Sequence, residues 1–174
     1  MLRRRRGRRN TDGDIPGTMP GMFSFQPRYR FSRAWSLPAE RRAIHAALLD
    51  TSSWPSWWPQ LSTVVTVAGT HDDPHRLQRF LLRAPSGYTV TVDGRFTAIG
   101  DDHLRARLSG DLTGEGEIWL DEDGAGCRLR YDLEVATTHL WMRLLTPLAR
   151  PLFAWNHDRL VAHGMAGLVR SARR

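Results

Sequence analysis

His157 sits in the middle of an apolar stripe. Placed on a helix at about 100° per residue, the stretch Pro151–Arg170 (PLFAWNHDRLVAHGMAGLVR) puts Phe153, Leu160, Val161 and Leu168 on one side. His157 and Gly164 lie between them. A buried imidazole must be neutral or paired. Its ordinary pKa is close to neutral, so a buried neutral histidine is a candidate general acid/base. Tyr131, on an alternating stretch, is a candidate donor to a carbonyl or enolate. An inward Arg33 or Arg79 would bind a carboxylate or an oxyanion. The plainer alternative is a satisfied core histidine beside a tight packing contact at Gly164.

Other chemistries find no residues to carry them. No nucleophile is paired with a base, and there is no Ser-His-Asp spacing or phosphate loop. His139, His157 and His163 are not at i, i+4 spacing, and Asp121, Glu122 and Asp123 read as a solvated turn. No metal and no cofactor is expected.

All 25 basic residues are arginine, and the formal charge is +7. Six arginines against Asp12 and Asp14 concentrate +4 of it in residues 1–22. That segment lacks periodicity and reads as a disordered tail, with residues 23–174 as one domain. Met19 and Met22 are alternative initiators. The body is near charge balance, so no specific nucleic-acid partner is expected. Cys127 is alone, which rules out an intrachain disulfide. No apolar run is long enough to span a membrane, and a cytoplasmic location is expected. Oligomeric state is not legible.

The elements that would position His157 follow from patterning. Tyr29, Phe31, Trp35 and Leu37 alternate with polar residues as a half-buried strand; Arg33 interrupts the apolar set, either at a rim or pointing inward. Ile44, Ala47 and Leu48 mark a short helix ending at Asp50. TSSWPSWWPQ allows only one short turn, capped by Ser52 or Ser53. Its Trp54, Trp57 and Trp58 form either a plug for one end of the core or a lip with indole N–H groups free to orient a ligand.

From Leu61 to Thr137 the chain is a run of strands. Leu61, Thr63, Val65 and Val67 are the expected inner set of the first, and the face of the stretch to Arg83 is ambiguous. Four further strands each show one apolar and one wet face. One-sided strands with short connections make an antiparallel meander rather than a parallel sheet. The last helix, after a capping pair Thr137-Thr138 and with a kink or restart at Thr146-Pro147, is the one element long enough to cover it. The fold class is α+β.

Gly94, Gly114 and Gly116 fall on the inner face, where a core wants volume. They allow strong bending, leave space under the helix, or both. Thr63 and Tyr131 are polar groups that would point into such a space.

This order of elements resembles the SRPBCC or START-like superfamily, the helix-grip fold of polyketide cyclases, lipid-transfer domains and the birch-pollen-allergen group. The nearest likeness is to actinobacterial polyketide cyclase/dehydrase-like proteins. It is carried by W-x-x-WWP (Trp54, Trp57, Trp58, Pro59), the G-x-G of Gly114 and Gly116, and FAWNHD-x-x-x-x-x-G-x-x-G-L (Phe153 to Leu168). The resemblance implies about seven strands curved around a long C-terminal helix, two short helices after the first strand, and an internal apolar cavity. On this reading Trp54, Trp57, Trp58, Gly94, Gly114, Gly116, Phe153, Leu160 and Gly164 are the candidate ligand-binding residues. The expected function is binding or carriage of a small hydrophobic ligand, lipid or polyketide-like. The alternative is an aromatase/cyclase or dehydratase using His157 and Tyr131.

Overall fold

A computed structural model describes residues 28–84, 87–138 and 146–174, without the side chains at 146–150, 152 and 153. The Arg-rich tail over 1–22, His139 and the Phe153 side chain lie outside the described residues.

Strand β1 (Arg28–Leu37) leads into α1 (Arg41–Leu49), a single tight turn over Thr51–Ser53 and the one-turn α2 (Trp54–Trp57). Six strands follow: β2 (Leu61–Ala68), β3 (Leu77–Arg83), β4 (Thr89–Ile99), β5 (His103–Gly110), β6 (Leu112–Asp123) and β7 (Gly126–Thr137). Helix α3 (Thr146–Ala172) ends the chain. The spatial order is β1-β7-β6-β5-β4-β3-β2, and every neighbour is antiparallel. The result is the expected helix-grip fold. The meander from β2 to β7 forms in sequence, and β1 adds to its far edge along β7. Gly124, at φ +62°, makes the tight turn between β6 and β7 that a side chain would strain.

The filled core lies at one end, where α1 and the C-terminal half of α3 meet the sheet. Leu37, Ile44, Leu104, Leu120, Leu129 and Leu168 are buried together there. Each fully buried aliphatic side chain contributes about 1.5–3 kcal/mol, so this end carries much of the stability.

One expectation about local structure is corrected. Leu61 pairs with Leu82, but the register slips by Thr63, and Val64 then faces Phe80. One extra residue flips every later side chain. Thr63, Val65 and Val67 therefore point outward and are exposed, Val65 by 50%. Thr137 ends β7, Thr138 Oγ1 donates to the carbonyls of Gly110 and Asp111, and the helix start expected after this pair lies outside the described residues. Helix α3 begins at Thr146, where a restart is expected, and runs on through Pro151. Pro147 falls in its first turn, where no N–H is needed.

Candidate functional site

A cavity of about 330 Å³ lies between the curved sheet and α3, a size that suits a small-molecule site. The alternation of β4 to β7 supplies its floor: Val92, Phe96, Leu108, Ile118 and Leu133 all turn inward. Helix α3 roofs it with His157, Leu160, Val161, Gly164 and Met165, and Trp54, Trp57 and Trp58 close one end.

That end is both plug and wall. Trp57 is buried, and the Trp57 and Trp58 rings stack at 6.1 Å between centroids. Trp54 lies 5.7 Å from Phe80. None of the three indole N–H groups is free to orient a ligand. Trp54 Nε1 donates to Ala47 O at 3.1 Å, Trp57 Nε1 to Ser53 Oγ at 3.2 Å, and Trp58 Nε1 to Leu160 O at 3.0 Å. Two glycines of α3 admit this corner. A Cβ on Gly164 would stand 2.8 Å from the Trp58 ring, and one on Gly167 would overlap the Trp57 carbonyl oxygen outright. Gly164 is thus the tight packing contact of the plainer reading, and it also borders the cavity.

The three sheet glycines separate. Gly116 lines the cavity, and a Cβ there would meet only ordinary contact with Leu133 at 3.4 Å. A Cβ on Gly114 would overlap the Glu134 carbonyl oxygen. Gly114 lies outside the lining and permits close approach of β7 instead. Gly94 also lies outside it, closed off by Leu108 at 3.1 Å and Phe80 at 3.2 Å.

His157 and Tyr131 face each other across the roof and floor. Tyr131 Oη lies 3.4 Å from His157 Nε2, and both line the cavity. Phe31 stacks on the imidazole at 3.7 Å between centroids. His157 Nδ1 has no hydrogen-bond partner; the Asp158 carboxylate is 3.6 Å away. Asp158 is held by Arg33 Nη2 at 2.9 and 3.1 Å, so Arg33 sits at the rim. Arg79 turns outward and pairs with Asp93 at 2.7 Å. Burial lowers the His157 pKa; Asp158 opposes that shift and Arg33 adds to it. Burial pushes the Tyr131 phenol well above its ordinary value. A neutral imidazole beside a protonated phenol is able to accept one proton and donate another.

Sequence reasoning misses four participants. Alternation places Phe31 on a strand but not against His157. Tyr29, Tyr88 and Asn156 line the cavity, and Asn156 hydrogen-bonds Tyr88. The neighbouring position of Asn156 and His157 on α3 is the available signal. Among the described residues no three His, Cys, Asp or Glu side chains gather as a metal site, and no helix is long and apolar enough to cross a membrane.

No curated protein sequence matches the chain. Solved structures share its fold. The Zhui aromatase/cyclase from Streptomyces sp. R1128 superposes with a TM-score of 0.67 at 14% identity, covering 85% of this chain and 95% of its own. A START superfamily protein from Mycobacterium smegmatis gives 0.62 at 17% identity, covering 81% and 97%. The protein TTHA0849 from Thermus thermophilus gives 0.62 at 19% identity, covering 83% and 99%. A family model matches residues 29–173, nearly the whole described fold, and the chain belongs to the polyketide cyclase / dehydrase and lipid transport family.

Proposed function

We propose that the protein binds and carries a small hydrophobic molecule in the cavity under α3. The observation that carries this reading is the cavity itself: a space between sheet and helix walled by aliphatic and aromatic side chains, with hydrogen-bonding groups concentrated near Asn156 and His157. Trp54, Trp57, Trp58, Gly116, Leu160 and Gly164 are the wall residues that would touch the ligand. On the sheet exterior, Arg28, Arg30, Arg105 and Arg107 are matched to Glu134, Glu117 and Glu115. That pairing favours a small-molecule partner over a nucleic acid, and the lone buried thiol suits the cytoplasm. Native mass spectrometry of protein purified from its own host tests the reading. A retained small molecule, or displacement of an apolar dye, supports it; protein that arrives empty and takes up no dye refutes it.

The Tyr131–His157 contact at 3.4 Å favours a second reading, an aromatase/cyclase or dehydratase. His157 would take a proton from an acidic carbon of the ligand, and Tyr131 would donate to the developing enolate. His157→Ala should then abolish turnover while ligand still binds. Equal loss of both would return His157 to a structural role.

A further inference from the structure

We infer that the cavity selects an electrically neutral molecule, an aromatic or alicyclic body with a carbonyl or hydroxyl at one end, over a fatty acid or other organic anion. This rests on the carrier reading above and names its ligand class.

The polar groups of the cavity are gathered rather than scattered. Asn156 and His157 are neighbours on α3; Asn156 bonds Tyr88, and Tyr29 lies close enough to Tyr88 to influence its ionisation. Tyr131 meets His157 at 3.4 Å. The Trp58 wall begins at Gly164, seven residues along the same helix, or roughly 10 Å further on. The space therefore has a polar end and an aromatic end.

Among the described polar side chains at the polar end only His157 can take up a charge, and its burial favours the neutral form. Tyrosine and asparagine both give and accept hydrogen bonds, as does a carbonyl–hydroxyl ligand end in the complementary sense. A buried carboxylate needs a cation. Among the described residues the lining holds no Asp, Glu, Lys or Arg. Arg33, the cation on the flank of His157, is committed to both oxygens of Asp158.

The test uses four probes built on one naphthalene body, titrated at neutral pH into the full chain by calorimetry: naphthalene, acetylnaphthalene, naphthoate and naphthylmethylammonium. Acetylnaphthalene should bind about five- to tenfold tighter than naphthalene, through one net hydrogen bond. Naphthoate should bind at least about 100-fold more weakly than acetylnaphthalene, since its charge is desolvated without a partner. In Tyr131→Phe, and separately in Asn156→Leu, the ratio of acetylnaphthalene to naphthalene affinity should fall toward unity, with circular dichroism confirming the fold. Either ion binding as tightly as acetylnaphthalene overturns the inference while leaving the carrier reading in place. So does a ratio unmoved by both substitutions. If none of the four binds, the carrier reading itself is what fails.

Discussion

The Trp58 indole occupies the place of a side chain at Gly164. A Cβ built there would stand 2.8 Å from the Trp58 ring, and the same ring donates its N–H to Leu160 O at 3.0 Å. The last helix and the tryptophan corner are therefore fitted to each other through an absence of volume.

Two substitutions rank that fit. Alanine is favoured over glycine inside a helix by about 1 kcal/mol, whereas overpacking costs about 1–3 kcal/mol. Trp58 is a ring pinned by its hydrogen bond, so overpacking wins and Gly164→Ala should destabilise by about 1 kcal/mol net. Gly167→Ala should cost more, about 3 kcal/mol, because the obstacle is the Trp57 backbone oxygen and cannot rotate away. Chemical denaturation measures both. A Gly167→Ala protein as stable as the parent would show that the corner and helix are not packed this way.

Gly114 and Gly116 should part company. Gly116 opens onto the cavity with its nearest neighbour at 3.4 Å, so Gly116→Leu should keep the fold and lose an apolar dye. Gly114→Ala should lose the fold, by about 3 kcal/mol or more, since even one methyl collides with Glu134 O. Circular dichroism beside dye titration separates the two outcomes. Dye uptake by a folded Gly116→Leu protein would remove that residue from the cavity wall.

The pair also shows what patterning reaches. Alternation places Gly94, Gly114 and Gly116 on one face of the sheet, because side-chain direction is a local property with a period of two. Which of them borders space and which borders a neighbouring strand depends on twist and approach distance, and those belong to residues far away in the chain. The same division holds elsewhere. The regular strands from β4 to β7 are legible; β2 is misread beyond Leu61 because its register slip leaves no mark in the alternation. His157 is legible as a cavity residue from its stripe. Its partners Phe31 and Asp158, and the outward turn of Arg79, are set by pairing across the sheet and across the helix.

Cys127 reports on the filled end of the core. It is fully buried, and burial raises its thiol pKa, so thiolate is scarce as well as hidden. Thiol reagents should leave it untouched in the native protein and label it at the rate of unfolding. Rapid labelling under native conditions would mean that the core between α1 and the sheet opens locally.

His157 makes stability depend on pH just below neutrality. Its folded pKa is lowered by burial, while the unfolded chain keeps the ordinary value of 6.5. Between those two values the unfolded state holds a proton that the folded state does not, so stability drops as the pH drops. It should be complete above about pH 6.5 and decline through the window beneath it, and His157→Gln should flatten that decline. Asp158 and Arg33 then act on the same imidazole with opposite signs. Asp158 raises its pKa and Arg33 lowers it, so Asp158→Asn should move the His157 titration down and Arg33→Ala should move it up. Neither should unfold the protein, because the pair is about half exposed at 47% for each side chain and such pairs contribute at most about 1 kcal/mol. Nuclear magnetic resonance titration of the His157 ring in both variants decides the matter. Shifts in the same direction would show that the two charges reach His157 through a change in packing, and not through the field that their geometry implies.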